Sequence, residues 1–160
     1  MHLHDDFTPL EHTFSKIETG SLQSEDPRVF QRGSQLYLLF NEPDPSRQGA
    51  RRLCLAELEV EKRCLKNREF LNWPGTQMEK NWTPFSFQED LYFLYTISPQ
   101  KVLKYAVETK IFSSSPQNAQ ALKWIERWGE LRGGTPAQLI EEQYLAFFHS
   151  SFEDSMGIKW

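Results

Sequence analysis

The sequence predicts an all-β chain, an incomplete β-propeller of four-stranded antiparallel blades, and three observations carry that expectation. One pattern occurs three times: a polar cluster with a proline, a short apolar strand, a polar turn, and a run of aromatic and aliphatic residues. The copies are residues 25–40 (EDPRVFQRGSQLYLLF), 79–95 (EKNWTPFSFQEDLYFLY) and 131–148 (LRGGTPAQLIEEQYLAFF). Their prolines, Pro27, Pro84 and Pro136, lie 57 and 52 residues apart, and the aromatic runs start at Tyr37, Tyr92 and Tyr144. Aromatic residues make up 14% of the chain, which suits stacked sheets. Repeats of this length and strand content point to a propeller or another stacked array, a pattern that three unrelated hairpins in one β protein would also mimic.

The elements follow in order. Residues 1–24 hold little periodicity and read as an entry segment. In the first repeat, Pro27 opens a strand at 28–30, Arg32-Gly33-Ser34 makes a hairpin turn, and 36–40 returns as a strand apolar on both faces. A loop over 41–50 with two prolines ends the pairing. The segment 52–59 alternates imperfectly, and 64–71 is expected to be the outer strand, since Lys66, Asn67, Arg68 and Glu69 would protect a sheet edge. The second repeat reads likewise, with strands at 83–87, 91–97 and 102–107, a turn at 88–90 and a break at Ser98-Pro99. Residues 111–130 fit either a capped amphipathic helix after Ser115-Pro116 or a fourth strand. The third repeat gives strands at 135–140 and 143–149, and the remaining residues are too few for the outer half of a blade. The expectation is one domain over 1–160, with blades at about 25–72, 79–130 and an incomplete 131–160. A propeller removes its edges by closing a ring of about four or more blades, so this one would leave apolar faces for a second copy or a partner chain to cover.

In a propeller, matching positions of successive blades meet at the central channel. The three polar clusters would then share one pocket, with carboxylates Glu25, Asp26 and Glu79, cations Arg28, Lys80 and Arg132, and hydrogen-bonding Asn81 and Thr135. His149 ends the second strand of its repeat and is a further candidate. A carboxylic acid can protonate a leaving oxygen, and Arg and Lys together can hold a phosphate, which are the two requirements of glycosidic-bond phosphorolysis. Each residue also has a plainer role. Asp26 before Pro27 can start a turn, Arg28 can pair with an adjacent carboxylate, Lys80 with Glu79 can be a solvated pair, Gly133-Gly134 can permit a bend, and His149 can be a core histidine.

The succession EDPR, EKNW-x-PF and RGGTP followed by YLAFFHS resembles glycoside hydrolase family 130, the β-mannoside phosphorylases and related mannosidases, over residues 25–151. The match is nearer to uncharacterised relatives, because the phosphorylases usually carry a glycine-rich variant without an arginine in place of RGGTP. The resemblance implies a five-bladed propeller and assigns Asp26 the role of general acid, acting through a substrate hydroxyl. It implies Arg28, Lys80, Asn81 and His149 as sugar or phosphate contacts, and an inverting displacement by phosphate or water on a β-mannoside-like glycan. A glycan-binding accessory module without turnover, or a degenerate fragment of such an enzyme, is the alternative reading.

The remaining observations narrow the field. Net charge is −4, which favours neither nucleic acid nor an anionic membrane as partner. No apolar run approaches the roughly 20 residues that span a bilayer and no signal-peptide core opens the chain, so a cytoplasmic location is expected. Only Cys54 and Cys64 are present and read as reduced strand residues, while His2, His4 and His12 read as solvated. No CxxC or HExxH spacing occurs, so no metal and no cofactor is expected beyond inorganic phosphate as co-substrate.

Overall fold

The structure, a computed structural model, describes residues 16–73, 80–115 and 122–158. It is all-β, with every sheet antiparallel and no α-helix among the described residues. The first sheet is a four-stranded meander of β1 (Glu25–Arg32), β2 (Gln35–Pro43), β3 (Arg51–Glu59) and β4 (Cys64–Phe70) in sequential order. The second repeats it with β5 (Thr83–Phe87), β6 (Asp90–Ile97), β7 (Gln100–Ala106) and β8 (Ile111–Ser114). The third repeat is two-stranded, where β9 (Glu130–Gly133) pairs with β12 (Phe148–Ser151) and β10 (Gln138–Ile140) with β11 (Gln143–Leu145). Neither four-stranded sheet closes on itself.

Strand chemistry explains the order within each sheet. β2 carries an unbroken buried run from Tyr37 to Glu42, as a strand covered on both faces should. β3 is buried at Leu53, Cys54, Leu55, Ala56 and Leu58, which is why its alternation is imperfect. β4 exposes Lys66, Asn67 and Arg68 at the sheet edge, where charge discourages pairing with another chain. The core lies between the sheets: Phe30, Tyr37, Leu39, Leu53, Leu55 and Leu71 meet Trp82, Leu91, Phe93, Leu103 and Tyr105. Trp82 is its hub, edge-on to Phe93, Tyr95 and Phe112. A smaller cluster, Leu38, Phe40, Cys54 and Ala56, covers the other face of the first sheet.

The repeat is real, with a corrected spacing. The first turn follows the pair Arg32–Gln35, the second Phe87–Asp90 and the third Ile140–Gln143, so the units lie 55 and then 53 residues apart. On that frame Phe30 matches Phe85 and Tyr37 matches Tyr92. The two cross-strand pairs stack alike, at 5.6 Å and 19° and at 5.4 Å and 17°. Alignment on the prolines is displaced by two residues because Pro84 lies within β5 opposite Phe93, whereas Pro27 sits in a bulge between the pairs Glu25–Asn41 and Arg28–Leu39.

Three sequence expectations change. The loop expected from residue 41 begins later, because β2 runs through Pro43, paired with Arg51. The fourth strand of the second sheet is β8, and residues 122–130 hold a single 3₁₀ turn at Glu126–Trp128. Of the helix alternative over 115–130, residues 116–121 lie outside the described residues. In the third repeat the hairpin is longer than expected and is interrupted. β9 and β10 form one side and β11 and β12 the other, joined across the break by bonds from Gly134 N and Thr135 N to Phe147 O. Cys54 and Cys64 are both free and stand at opposite ends of the β3–β4 hairpin, Cys54 opposite Phe70 and Cys64 opposite Glu59. No helix among the described residues is long and apolar enough to cross a membrane.

Candidate functional site

The three polar clusters do meet, and Arg28 is where they meet. Bulge residue Asp26 adopts φ 52°, a left-handed conformation that Asp and Asn tolerate better than other side chains. The bulge is followed by Arg28, only 8% exposed, whose guanidinium reaches across to the other two repeats. One terminal nitrogen donates to Trp82 O and the other donates to Gly133 O at 2.8 Å. Burial lowers the Arg28 pKa from its usual value, and the Asp26 carboxylate opposes that shift. Gly133 must be glycine for the approach to work, since a Cβ there would overlap Asn81 O and lie 2.5 Å from Thr83 Oγ1.

Beside this junction lies a cleft of about 310 Å³ lined by Lys80, Asn81, Tyr95, Thr96, Ile97, Ser98 and by Glu130 to Gly133. Lys80, Arg132 and Glu130 are the charged residues of its lining, and Glu130 takes a 3.1 Å bond from Arg132. Thr96 Oγ1 donates its proton to Pro99 O at 2.6 Å, so towards a ligand that hydroxyl can act only as an acceptor. Asn81 has φ 63° and falls opposite Asp26 in the 55-residue frame, so two Asx residues hold the same backbone conformation at matching positions of successive sheets.

No protein-family model, curated protein or solved structure matches the chain.

The geometry sorts the residues selected from sequence. Lys80, Asn81 and Arg132 share the cleft. His149 stands directly across from Arg132 in the β9–β12 pair and is exposed. Arg28 joins the three segments through backbone acceptors rather than lining the cleft. Thr135 is occupied in the hairpin break, its hydroxyl accepting from Phe147 N at 3.0 Å. Asp26 is exposed at the head of the first sheet, near the Arg28 charge, and accepts from Asn41 Nδ2 at 3.4 Å. Asn41 is completely buried and is fixed by Arg51, which also reaches Glu25 at 2.8 Å. Glu79 lies outside the described residues, as do His2, His4 and His12. Sequence reasoning missed Glu130, Tyr95, Thr96 and Ser98. The break at Ser98-Pro99 signalled the last two, and nothing local signalled the others.

Proposed function

We propose that the chain is a carbohydrate-active protein similar to glycoside hydrolase family 130, two blades and part of a third of a five-bladed propeller. It acts on β-mannoside-like glycans with inorganic phosphate or water as acceptor. The observation that carries this reading is the junction at Arg28, where segments 54 and 105 residues away in sequence are drawn to one guanidinium beside a cleft bearing Lys80 and Arg132. Two cations against one carboxylate favour an anion the size of phosphate, and Asn81 and Ser98 supply groups that suit sugar hydroxyls.

In the proposed reaction a phosphate oxygen forms a bond to the anomeric carbon as the bond to the leaving oxygen breaks, with inversion. The leaving oxygen takes a proton relayed from Asp26 through a substrate hydroxyl, and water in place of phosphate gives the free sugar. A second reading, glycan binding without turnover, draws support from Asp26 standing outside the cleft lining and bonded to Asn41. The experiment is release of mannose 1-phosphate or mannose from short β-mannosides, with and without phosphate. Phosphate-dependent product supports the phosphorylase and product without phosphate the hydrolase. Calorimetric binding with no product supports the binding module, and neither binding nor product rejects the carbohydrate reading.

A further inference from the structure

The third hairpin has two long edges, and the internal repeat tells them apart. In the two complete sheets the first strand, β1 or β5, is an edge, while the second, β2 or β6, is flanked on both sides. By the turn positions, β9 and β10 correspond to that first strand and β11 and β12 to the second. Among the described residues β11 and β12 pair only with β10 and β9, so the strand that is central elsewhere carries an open side.

That side is built unlike the charged β4 edge. From Gln143 to Phe152 the sequence QYLAFFHSSF contains no Asp, Glu, Lys or Arg, whereas the β4 edge carries Lys66, Arg68 and Glu69. Its apolar side chains stand in solvent: Phe147 is 67% exposed, and Leu145 and Phe148 are each 49% exposed. Leu139 and Ile140 on the paired strand are exposed as well. An uncharged, aromatic edge without proline is a template for strand addition.

We propose that a second copy of this chain docks here, β11–β12 against β11–β12 in antiparallel order about a two-fold axis. Antiparallel pairing of one segment with itself brings apolar residues against apolar residues and no like charges together. It is isologous, so it closes at a dimer instead of growing into a fibre. The product is a sheet in which β12 lies beside the second copy's β11, in the order β9-β12-β11-β10, four strands wide like the other two, with Phe147 and Phe148 shielded from water. The proposal rests on the 55-residue repeat and is independent of the sugar chemistry.

The test is sedimentation of the intact chain across a wide concentration range, joined to amide hydrogen exchange. The expected result is a rise towards twice the 18.9 kDa chain mass, with slowed exchange at Tyr144–Ser151 in the heavier species. Leu145→Lys with Phe147→Lys is expected to hold the chain at single mass, whereas Val60→Lys, also at an exposed apolar residue but in the β3–β4 turn, leaves the dimer intact. Should the double variant fail to fold, exchange in the unaltered chain decides. A single-chain mass at every concentration overturns the proposal, as does a dimer that survives the folded double variant or leaves the 144–151 amides unprotected. A dimer without mannoside turnover leaves it standing.

Discussion

Arg28 is surrounded by acceptors that the chain itself supplies, and its planar fork suits two carbonyls that approach from different repeats. An ammonium group cannot present two fixed parallel donors at that span. Arg28→Lys is therefore expected to cost about 3 kcal/mol, the scale of one to two hydrogen bonds from a charged group together with the stranded carbonyls. A lowered urea midpoint at unchanged slope would register it, and an unchanged midpoint would mean that the junction contributes nothing to stability. Asp26 calls for a different variant. At φ 52° asparagine is the other side chain that fits, so Asp26→Asn should preserve the bulge and move stability by less than about 1 kcal/mol. Under the proposed function it should also abolish turnover, because an amide has no acidic proton to transfer to a leaving oxygen. Retained product release in that variant would remove Asp26 from the acid role.

Hairpin turns and the burial of central strands were legible because both are written locally, the turns in short polar interruptions and β2 in an unbroken apolar run. The third repeat was less legible. Its strand pairs appear in the sequence as alternating residues, but the break between β10 and β9 depends on Thr135 turning its hydroxyl to Phe147 N, a contact across the hairpin that no alternation encodes. The loop between β2 and β3 also hides its chemistry. There the buried Asp44 carboxylate takes bonds from Ser46 N at 2.9 Å, Ser46 Oγ at 2.6 Å and Arg47 Nε at 3.0 Å. Burial alone would raise its pKa, but these donors and the nearby Arg52 outweigh burial and hold the pKa down at about 2. A depressed folded-state value gives stability that is complete above the unfolded value of about 4 and is lost as pH falls from there towards 2. Asp44→Asn should lower stability at neutral pH and flatten that acid limb, read as urea midpoints at a series of pH values. An equally steep limb in the variant would assign the acid sensitivity to other carboxylates.

Across the whole molecule, the sequence carried the idea of convergence but not its agent. Three polar clusters at similar spacing suggested a shared pocket, and Lys80, Asn81 and Arg132 share one. That Arg28 would turn to the backbones of Trp82 and Gly133, and so leave the ligand-facing set, depends on how two sheets and a hairpin pack together. The same junction gives the two cysteines a use as gauges of opening. Cys64 is part-exposed, whereas Cys54 is fully buried in β3, and burial pushes its thiol up to about 11. A thiol-alkylating reagent at neutral pH should label Cys64 in the folded chain and reach Cys54 only after β3 parts from its neighbours. With Arg28 strapping the first sheet to the other two repeats, that second label is expected to arrive with loss of the whole fold. Label at Cys54 in urea well below the midpoint would mean instead that the first sheet can open like a hatch while the rest stays shut.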